Sequence, residues 1–203
     1  MIDINNINLT DKIQTLVSLI RNTGLFSSVT VDNSNNINCY TGDKVVLYIE
    51  KRAADVAKIT YTSDNASGTI GGNSGFDVTA IGRIVTTSKG FVLGNNEVWN
   101  LFFGRTIKVS DNSEGVGCIY CASAGVSSDN YKSVGKTSTA IDTHIPIPAN
   151  TSNITVLTNA YTPSGYEYFP DIYISTAVEN TSSGRISING KTGYTNGRVT
   201  LMD

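Results

Sequence analysis

Two cysteines with redox-motif spacing are the first residues of this sequence that could do chemistry. Cys118 and Cys121 form a C-x-x-C pattern, which in redox proteins opens a helix whose dipole lowers the thiol pKa. Here the pattern lies in VGCIYCA, a strand-like run in which residues three apart point to opposite faces. Cys39 stands apart in the sequence, so no second pair completes a zinc site. The pattern therefore favours buried cysteines that act as small hydrophobic residues.

The single histidine raises the question of hydrolytic chemistry. His144 follows Asp142 by two residues, and Ser74 lies in a glycine-rich run, residues 72–75, with a superficial likeness to a serine-protease nucleophile loop. That run lacks the strand-to-helix context of a nucleophile elbow, and a triad is defined by geometry. We therefore expect no catalytic residue and no enzyme activity. A hydrolase that uses Ser74 and His144 is a third hypothesis, after the two given below.

The Asp32–Asn36 run spaces oxygen ligands like the start of a calcium-binding loop. The glycine expected next is Ile37, and Asp43 stands where a bidentate glutamate is expected. A hairpin turn accounts for the run better. We expect no metal site and no cofactor, although a calcium ion shared between subunits would leave no mark on one sequence.

Five aromatic residues within thirteen positions form the most site-like feature of the sequence. Aromatic rings on a loop can stack on sugars or anchor a protein interface. The nearby prolines also fit a strand that feeds its rings into the core. Three roles therefore stay open: core, subunit interface and ligand platform. The residues are Tyr161, Tyr166, Tyr168, Phe169 and Tyr173.

Composition and charge limit the classes of function. Only 16% of the 203 residues are charged, against about 25% in an ordinary soluble domain, and Asn, Ser, Thr and Gly favour turns and strand faces. The net charge of −2, with no basic stripe, argues against nucleic-acid binding. No stretch approaches the roughly 20 apolar residues that membrane insertion requires. The first residues lack the features of a secretory signal, which predicts synthesis in the cytoplasm without export.

One amphipathic helix is well signalled near the start of the chain. Thr10 is a suitable N-cap, and Gly24 suits the left-handed position after the last turn. Apolar residues recur between them with helical spacing, which predicts a stripe buried against the sheet that follows. The stripe consists of Ile13, Leu16, Val17 and Ile20.

The rest of the chain has the period-two pattern of strands. A meander up to Ile49 suggests a helix-plus-meander subdomain at 1–50 and a β-rich domain at 51–203, within a single chain unit. Residues 68–75 are too glycine-rich for a strand and predict a mobile loop, and separate strands are predicted at Trp99–Phe103 and Thr106–Val109. Asn-Gly pairs at 189–190 and 196–197 predict two-residue hairpins. The expected fold class is mainly β (α+β): an N-terminal amphipathic helix packed on a β-sheet, a β-sandwich or barrel-like remainder, and a C-terminal β-meander.

Three segments near the C terminus carry a family resemblance. They are FPDIYI at 169–174, GRISINGK at 184–191 and YTNG at 194–197, before the last residue, Asp203. This part of the chain resembles the ends of small structural proteins of tailed bacteriophages and phage-tail-like particles. In those proteins a strand preceded by a proline is followed by a Gly-x-hydrophobic-x-hydrophobic-Asn/Asp-Gly hairpin and a short last strand. The resemblance is confined to residues 169–203. It implies a non-enzymatic part of the neck, tail or baseplate, and it brings no site residues.

A virion component would also explain a composition typical of exposed proteins in a chain without an export signal. We therefore expect a structural protein of the virion, made in the host cytoplasm, whose partners are other virion subunits in a homo-oligomer. The alternative is a carbohydrate- or receptor-binding β module, with a host-surface glycan as its partner.

Overall fold

The chain is described from a computed structural model that covers residues 1–5, 7, 9–54, 56–63, 66–70, 79–95, 99–122, 131–133, 157–161, 167–175, 184–188, 190–195 and 199–203. Strands make up 62% of the protein, and the main sheet is curled into a half-barrel. The described ranges contain a single α-helix, α1 (Ile13–Asn22). The predicted mainly β class is therefore confirmed.

The strands form two sheets in which all the pairings described are antiparallel. The smaller sheet consists of β2 (Ser28–Val31), β3 (Ile37–Thr41), β4 (Lys44–Lys51), β5 (Val56–Ser63), β6 (Ala66–Ile70) and β7 (Thr79–Ala80). The larger sheet consists of β1 (Ile2–Asn5), β8 (Arg83–Thr86), β9 (Gly90–Asn95), β10 (Trp99–Lys108), β11 (Glu114–Ala122), β12 (Tyr131–Ser133), β13 (Leu157–Tyr161), β14 (Glu167–Ser175), β15 (Gly184–Ile188), β16 (Lys191–Thr195) and β17 (Val199–Met202).

Helix α1 confirms the predicted apolar stripe but begins later than expected. The residue at its N-cap is Lys12, and Thr10 lies in a turn before it. The Leu9 N–H donates to the Ala54 carbonyl at 2.5 Å, so this segment is held against a loop of the smaller sheet. Gly24 has φ +67° after the last turn, as predicted. The predicted stripe residues are all buried: Ile13, Leu16, Val17 and Ile20.

The smaller sheet begins with the predicted meander, β2–β3–β4, and continues into β5 and β6. Strand β4 pairs with β5 from Leu47 to Lys51, so hydrogen bonding carries this sheet past residue 50. The loop predicted at 68–75 is wrong for residues 68–70, which belong to β6. Backbone pairing with β5 is sufficient to hold such a glycine-containing segment as a strand at the edge of the sheet. Residues 71–78 lie outside the described ranges.

Strand β10 is continuous where the sequence predicted a break. Gly104 lies inside the strand, and a Cβ there would come within 2.8 Å of the Ile172 side chain. The glycine thus lets β14 pass close to β10, and β14 pairs with the end of β10 at Ile107 and Lys108. Glycine in a strand often marks such a close approach rather than a strand end.

Two hydrophobic clusters lie on opposite faces of the larger sheet. The helix cluster contains α1, inward residues of the smaller sheet, and one face of β8–β11. The sheet cluster comes from the larger sheet alone. Alternate residues serve alternate clusters, as the pleat requires, and the sheet must curl for its distant strands to meet in one cluster. The sheet cluster consists of Val85, Val92, Phe102, Ile119, Phe169, Ile172, Tyr194, Val199 and Leu201.

The predicted C-terminal meander is present and packed into the larger sheet. Strands β15, β16 and β17 pair in sequence, and β17 also pairs with β14. Gly190 has φ +79° in the first predicted Asn-Gly turn, whereas Asn189 and the second pair lie outside the described ranges. The Asp203 carboxylate accepts a hydrogen bond from the Met1 ammonium at 3.0 Å and from the Ser88 N–H at 2.7 Å.

Candidate functional site

The aromatic segment does not form one continuous platform. Phe169 is 1% exposed and belongs to the sheet cluster. Tyr168 and Tyr173 are half-buried, and the Tyr173 hydroxyl donates to the Pro170 carbonyl at 2.9 Å. The backbone of Tyr161 pairs with that of Tyr168. Tyr166 lies outside the described ranges, as does the side chain of Tyr161. Phe169 is therefore a core residue, and an interface role for the half-exposed tyrosines stays a prediction.

A bulge in β14 explains why both Phe169 and Ile172, three positions apart, are buried on the same face of the sheet. Ala160 pairs with Phe169, but the preceding residue of β13, Asn159, pairs with Tyr173. Residues 170–172 therefore have no partner on β13. Ile172, inside the bulge, is fully buried in the sheet cluster. Asp171 also lies inside the bulge, and its side chain makes an ion pair with Arg105 of β10.

Arg105 lies between two carboxylates at an open cleft. Its Nη1 donates to Glu114 Oε1 at 2.9 Å, and its Nη2 lies 3.7 Å from Asp171 Oδ2. That Asp171 oxygen is buried without a hydrogen-bond partner, so the second contact is electrostatic. The cleft has a volume of about 280 Å³. Its lining comes from the end of α1, the β3–β4 and β8–β9 turns, β10, β11 and the β14 bulge: Thr23, Gly24, Leu25, Thr41, Ser88, Lys89, Arg105, Glu114, Gly115, Val116 and Asp171.

The cleft presents charges of both signs to solvent. Lys89 adds a second cation to Arg105, so the two cations balance Glu114 and Asp171. Such a mixed set can orient a polar partner but has no large excess of either sign to attract an ion. Within the described ranges, no three His, Cys, Asp or Glu side chains converge in a way that could hold a metal ion. Sequence reasoning missed the cleft, because its charged residues come from four separate segments.

Cys39 and Cys118 are buried. Cys39 and Cys118 both belong to the helix cluster. Burial raises the pKa of Cys39 to about 12 and raises the pKa of Cys118 well above its ordinary value. Cys121 lies on the same strand as Cys118, β11, so the C-x-x-C pattern is in a strand, as predicted. Ser74, Asp142 and His144 lie outside the described ranges.

The Asp32–Asn36 run forms the predicted hairpin turn between β2 and β3. Asp32 Oδ1 accepts hydrogen bonds from the N–H groups of Ser34 and Asn36 at 2.8 and 3.0 Å, and its Oδ2 accepts one from Asn36 Nδ2 at 2.9 Å. These bonds, led by the one from the Asn36 backbone, lower the pKa of Asp32. Asn35 takes the left-handed conformation, with φ +63°. The carboxylate thus holds the turn.

A second concave surface lies on the outer face of the smaller sheet. This groove has a volume of about 440 Å³ and is lined by Asp32, Asn38, Val45, Tyr48 and Thr60. The outward positions of β3, β4 and β5 alternate with buried ones, which a sequence pattern can show. Their alignment into one surface depends on strand register, including a bulge between Cys39 and Tyr40, and was not predicted.

Comparison with known proteins gives no relative: no family model, no curated protein and no solved structure matches this chain. In the part of the chain that the structure describes, no helix is both long and apolar enough to cross a membrane.

Proposed function

We propose that this chain is a non-enzymatic structural component of a phage or phage-like particle, in the neck, tail or baseplate. It acts by docking to other subunits in a homo-oligomer. The observation that carries the proposal is the edge strand β1, at one end of the larger sheet. The resemblance of residues 169–203 to phage structural proteins supports it. A β-sandwich or barrel-like arrangement of the β-rich part belongs to the same proposal.

Strand β1 has the properties of a strand that pairs with another chain. Among the described strands it pairs with β8 alone. We infer that the hydrogen-bonding groups of its other edge accept a partner strand. Ile2 is 50% exposed on this edge, whereas Ile4 packs against the helix cluster. Asp3 is engaged by Arg83, so its charge is compensated within the subunit. An edge strand with an exposed isoleucine and a compensated charge favours strand-to-strand docking.

The first experiment measures self-association of the purified chain by analytical ultracentrifugation. We expect the wild type to form a closed oligomer and Ile2→Lys to weaken association at least about tenfold, because lysine on an edge strand opposes pairing. Val109→Lys is the matched control, since Val109 is 58% exposed at the turn after β10. It should leave association unchanged. A wild type that is monomeric at all concentrations, or equal loss in both variants, would contradict docking through β1.

The second experiment locates the chain by immunogold electron microscopy on particles released when the source cells lyse. Gold fixed at one level of a tailed or tail-like particle is the expected result, and that level would identify the part. Gold on cell envelopes, or on no particle, would exclude the particle assignment whatever the oligomeric state.

The alternative function is a carbohydrate- or receptor-binding module with the aromatic segment as its platform. The exposed fractions of Tyr168 and Tyr173 favour it, but burial of Phe169 leaves that platform small. The Tyr166→Ala, Tyr168→Ala double variant tests it, because it should abolish glycan binding without changing assembly.

A further inference from the structure

Three side chains form a continuous row across the outer face of the smaller sheet. In the register of β3, β4 and β5, Asn38 lies opposite Tyr48, and Tyr48 lies opposite Thr60. Directly opposed residues of neighbouring antiparallel strands have Cβ atoms about 5 Å apart. Their neighbours along each strand point into the helix cluster, so the row faces away from the core. All three residues are half-buried and form the floor of the groove.

The groove offers an aromatic ring together with several hydrogen-bonding groups. Burial, and then the negative charges of Glu50 and Asp32, raises the pKa of Tyr48, so its hydroxyl is protonated and can donate. Asp32 remains ionised, and its Oδ2, which accepts a bond from Asn36 Nδ2, has lone pairs that can accept from a ligand as well. Asn38 and Thr60 can each donate and accept. Tyr48 and Val45 add apolar surface.

The charges around the groove select a neutral ligand. Among the described residues that line the groove, Asp32 alone is charged. Two cations lie beyond that lining beside Glu50: Arg52, paired with it at 2.9 Å, and Lys58, directly opposite it on β5. Because the charge within the groove itself is the Asp32 carboxylate, binding an anionic ligand there costs energy. A ligand rich in hydroxyl donors would satisfy that carboxylate.

From these features we propose that the groove binds a neutral oligosaccharide. A pyranose ring has an apolar C–H face, which can stack on the Tyr48 ring. Its hydroxyl groups can donate to Asp32 and exchange hydrogen bonds with Asn38 and Thr60. The groove volume of about 440 Å³ falls within the range of small-molecule sites, about 300–1,000 Å³. The inference goes beyond the particle assignment and does not depend on it.

The test applies the labelled full chain to an array of neutral and acidic oligosaccharides. We expect retention on neutral glycans and not on acidic ones. The best-retained glycan is then titrated by calorimetry against wild type, Tyr48→Ala, Tyr48→Phe and Thr60→Val. Tyr48→Ala should weaken binding at least about tenfold, because it removes the stacking ring. The two conservative variants should each weaken it about threefold to tenfold, since each removes one hydroxyl at nearly constant shape.

Val109→Lys is the matched control, because Val109 is exposed at the turn after β10 on the other sheet, and it should bind like wild type. Tyr168→Ala distinguishes this groove from the aromatic segment of the alternative function, on the larger sheet, whose glycan binding it would remove. Thermal unfolding of each variant confirms folding, and if Tyr48→Ala does not fold, Tyr48→Phe and Thr60→Val decide the outcome. The proposal is overturned if no neutral glycan is retained, if both hydroxyl deletions leave affinity unchanged, or if Tyr168→Ala alone loses binding. Retention of acidic glycans with an affinity that falls from about 50 mM to about 500 mM salt would also overturn it.

Discussion

Phe102 and Phe103 are neighbours on β10, yet they stabilise different clusters. Phe103 lies in the helix cluster, stacked on Phe91 with 4.9 Å between ring centroids and edge-on to Phe26 at 6.0 Å. Phe102 lies in the sheet cluster, where the Tyr194 ring is 6.3 Å away. The helix cluster draws on α1 and both sheets, whereas the sheet cluster draws on the larger sheet alone. Strand β10 therefore contributes side chains to two hydrophobic clusters, one built from three structural units and the other from a single sheet.

Polar contacts surround the sheet cluster where β1, β8 and β16 meet. Arg83 donates from Nε and Nη2 to the two carboxylate oxygens of Asp3, at 2.7 and 2.5 Å. Its guanidinium carbon also lies 4.7 Å from the centre of the Tyr194 ring. These contacts join β1 and β8 to β16, across the curl of the sheet. Among the described residues, the sheet cluster is thus closed at this side by a part-buried aromatic–arginine contact.

The largest expected effect comes from truncating the two phenylalanines. Phe102→Ala and Phe103→Ala should each lower the free energy of unfolding by about 3–5 kcal/mol, because each removes a fully buried ring. Phe103→Ala should cost about 1 kcal/mol more, since it loses two aromatic contacts whereas Phe102→Ala loses one. Urea denaturation followed by Trp99 fluorescence measures both. A smaller loss for Phe103→Ala would contradict the unequal support of the two clusters.

An intermediate effect is expected from the arginine that closes the sheet cluster. Arg83→Met should lower the free energy of unfolding by about 1–3 kcal/mol, because it removes the paired bonds to Asp3 and the contact with Tyr194. Arg105→Met is the matched control. The Arg105 side chain is 38% exposed, against 17% for Arg83, so its ion pairs should contribute about 0–1 kcal/mol. Equal losses would show that closure of the sheet cluster does not depend on Arg83.

The smallest expected effect is a pH dependence of stability that comes from Asp203. Its partner Met1 packs against the sheet cluster. The bond from the Ser88 backbone and that from the Met1 ammonium lower the pKa of Asp203 below its ordinary value of 3.8. Because the folded-state pKa is the lower one, the stabilisation is present above pH 3.8 and is lost as the pH falls through the folded-state pKa.

Asp203→Asn should therefore unfold more easily than wild type at neutral pH, by less than about 1 kcal/mol because the group is partly exposed. The difference should shrink as the pH falls below 3.8. Denaturation midpoints of both proteins across this pH range measure it. A difference that grows on acidification would have the wrong sign for this bond.

Local patterns were sufficient to predict the elements whose partners lie nearby in the chain. The α1 stripe, the meander from Ser28 to Ile49 and the C-terminal hairpins depend on spacing and turn residues within a few positions. Strand β1 was missed because its partner is β8, far along the sequence. The break predicted near Gly104 was wrong because the reason for that glycine, the Ile172 side chain, is equally distant.

The two candidate binding surfaces, the aromatic segment and the groove at Tyr48, were harder to predict than the helix and the strands. The aromatic segment was recognisable from composition, but the β14 bulge that buries Phe169 and Ile172 was not. The sequence shows Tyr48 only as a tyrosine in a strand. The strand register is what places Asn38 and Thr60 beside it. Sequence shows which residues face outward, whereas pairing between strands decides which of them meet.

The pairing of β1 with β8 also affects how the chain reaches its fold. Arg83 and Asp3 are 80 positions apart, and the contact between Met1 and Asp203 spans 202. Contacts of such long sequence separation slow folding, because a large loop must close before they form. During synthesis, β1 remains unpaired until β8 has left the ribosome, and its backbone edge is open to other nascent chains. The strand proposed to join finished subunits is therefore also the one most exposed to premature association.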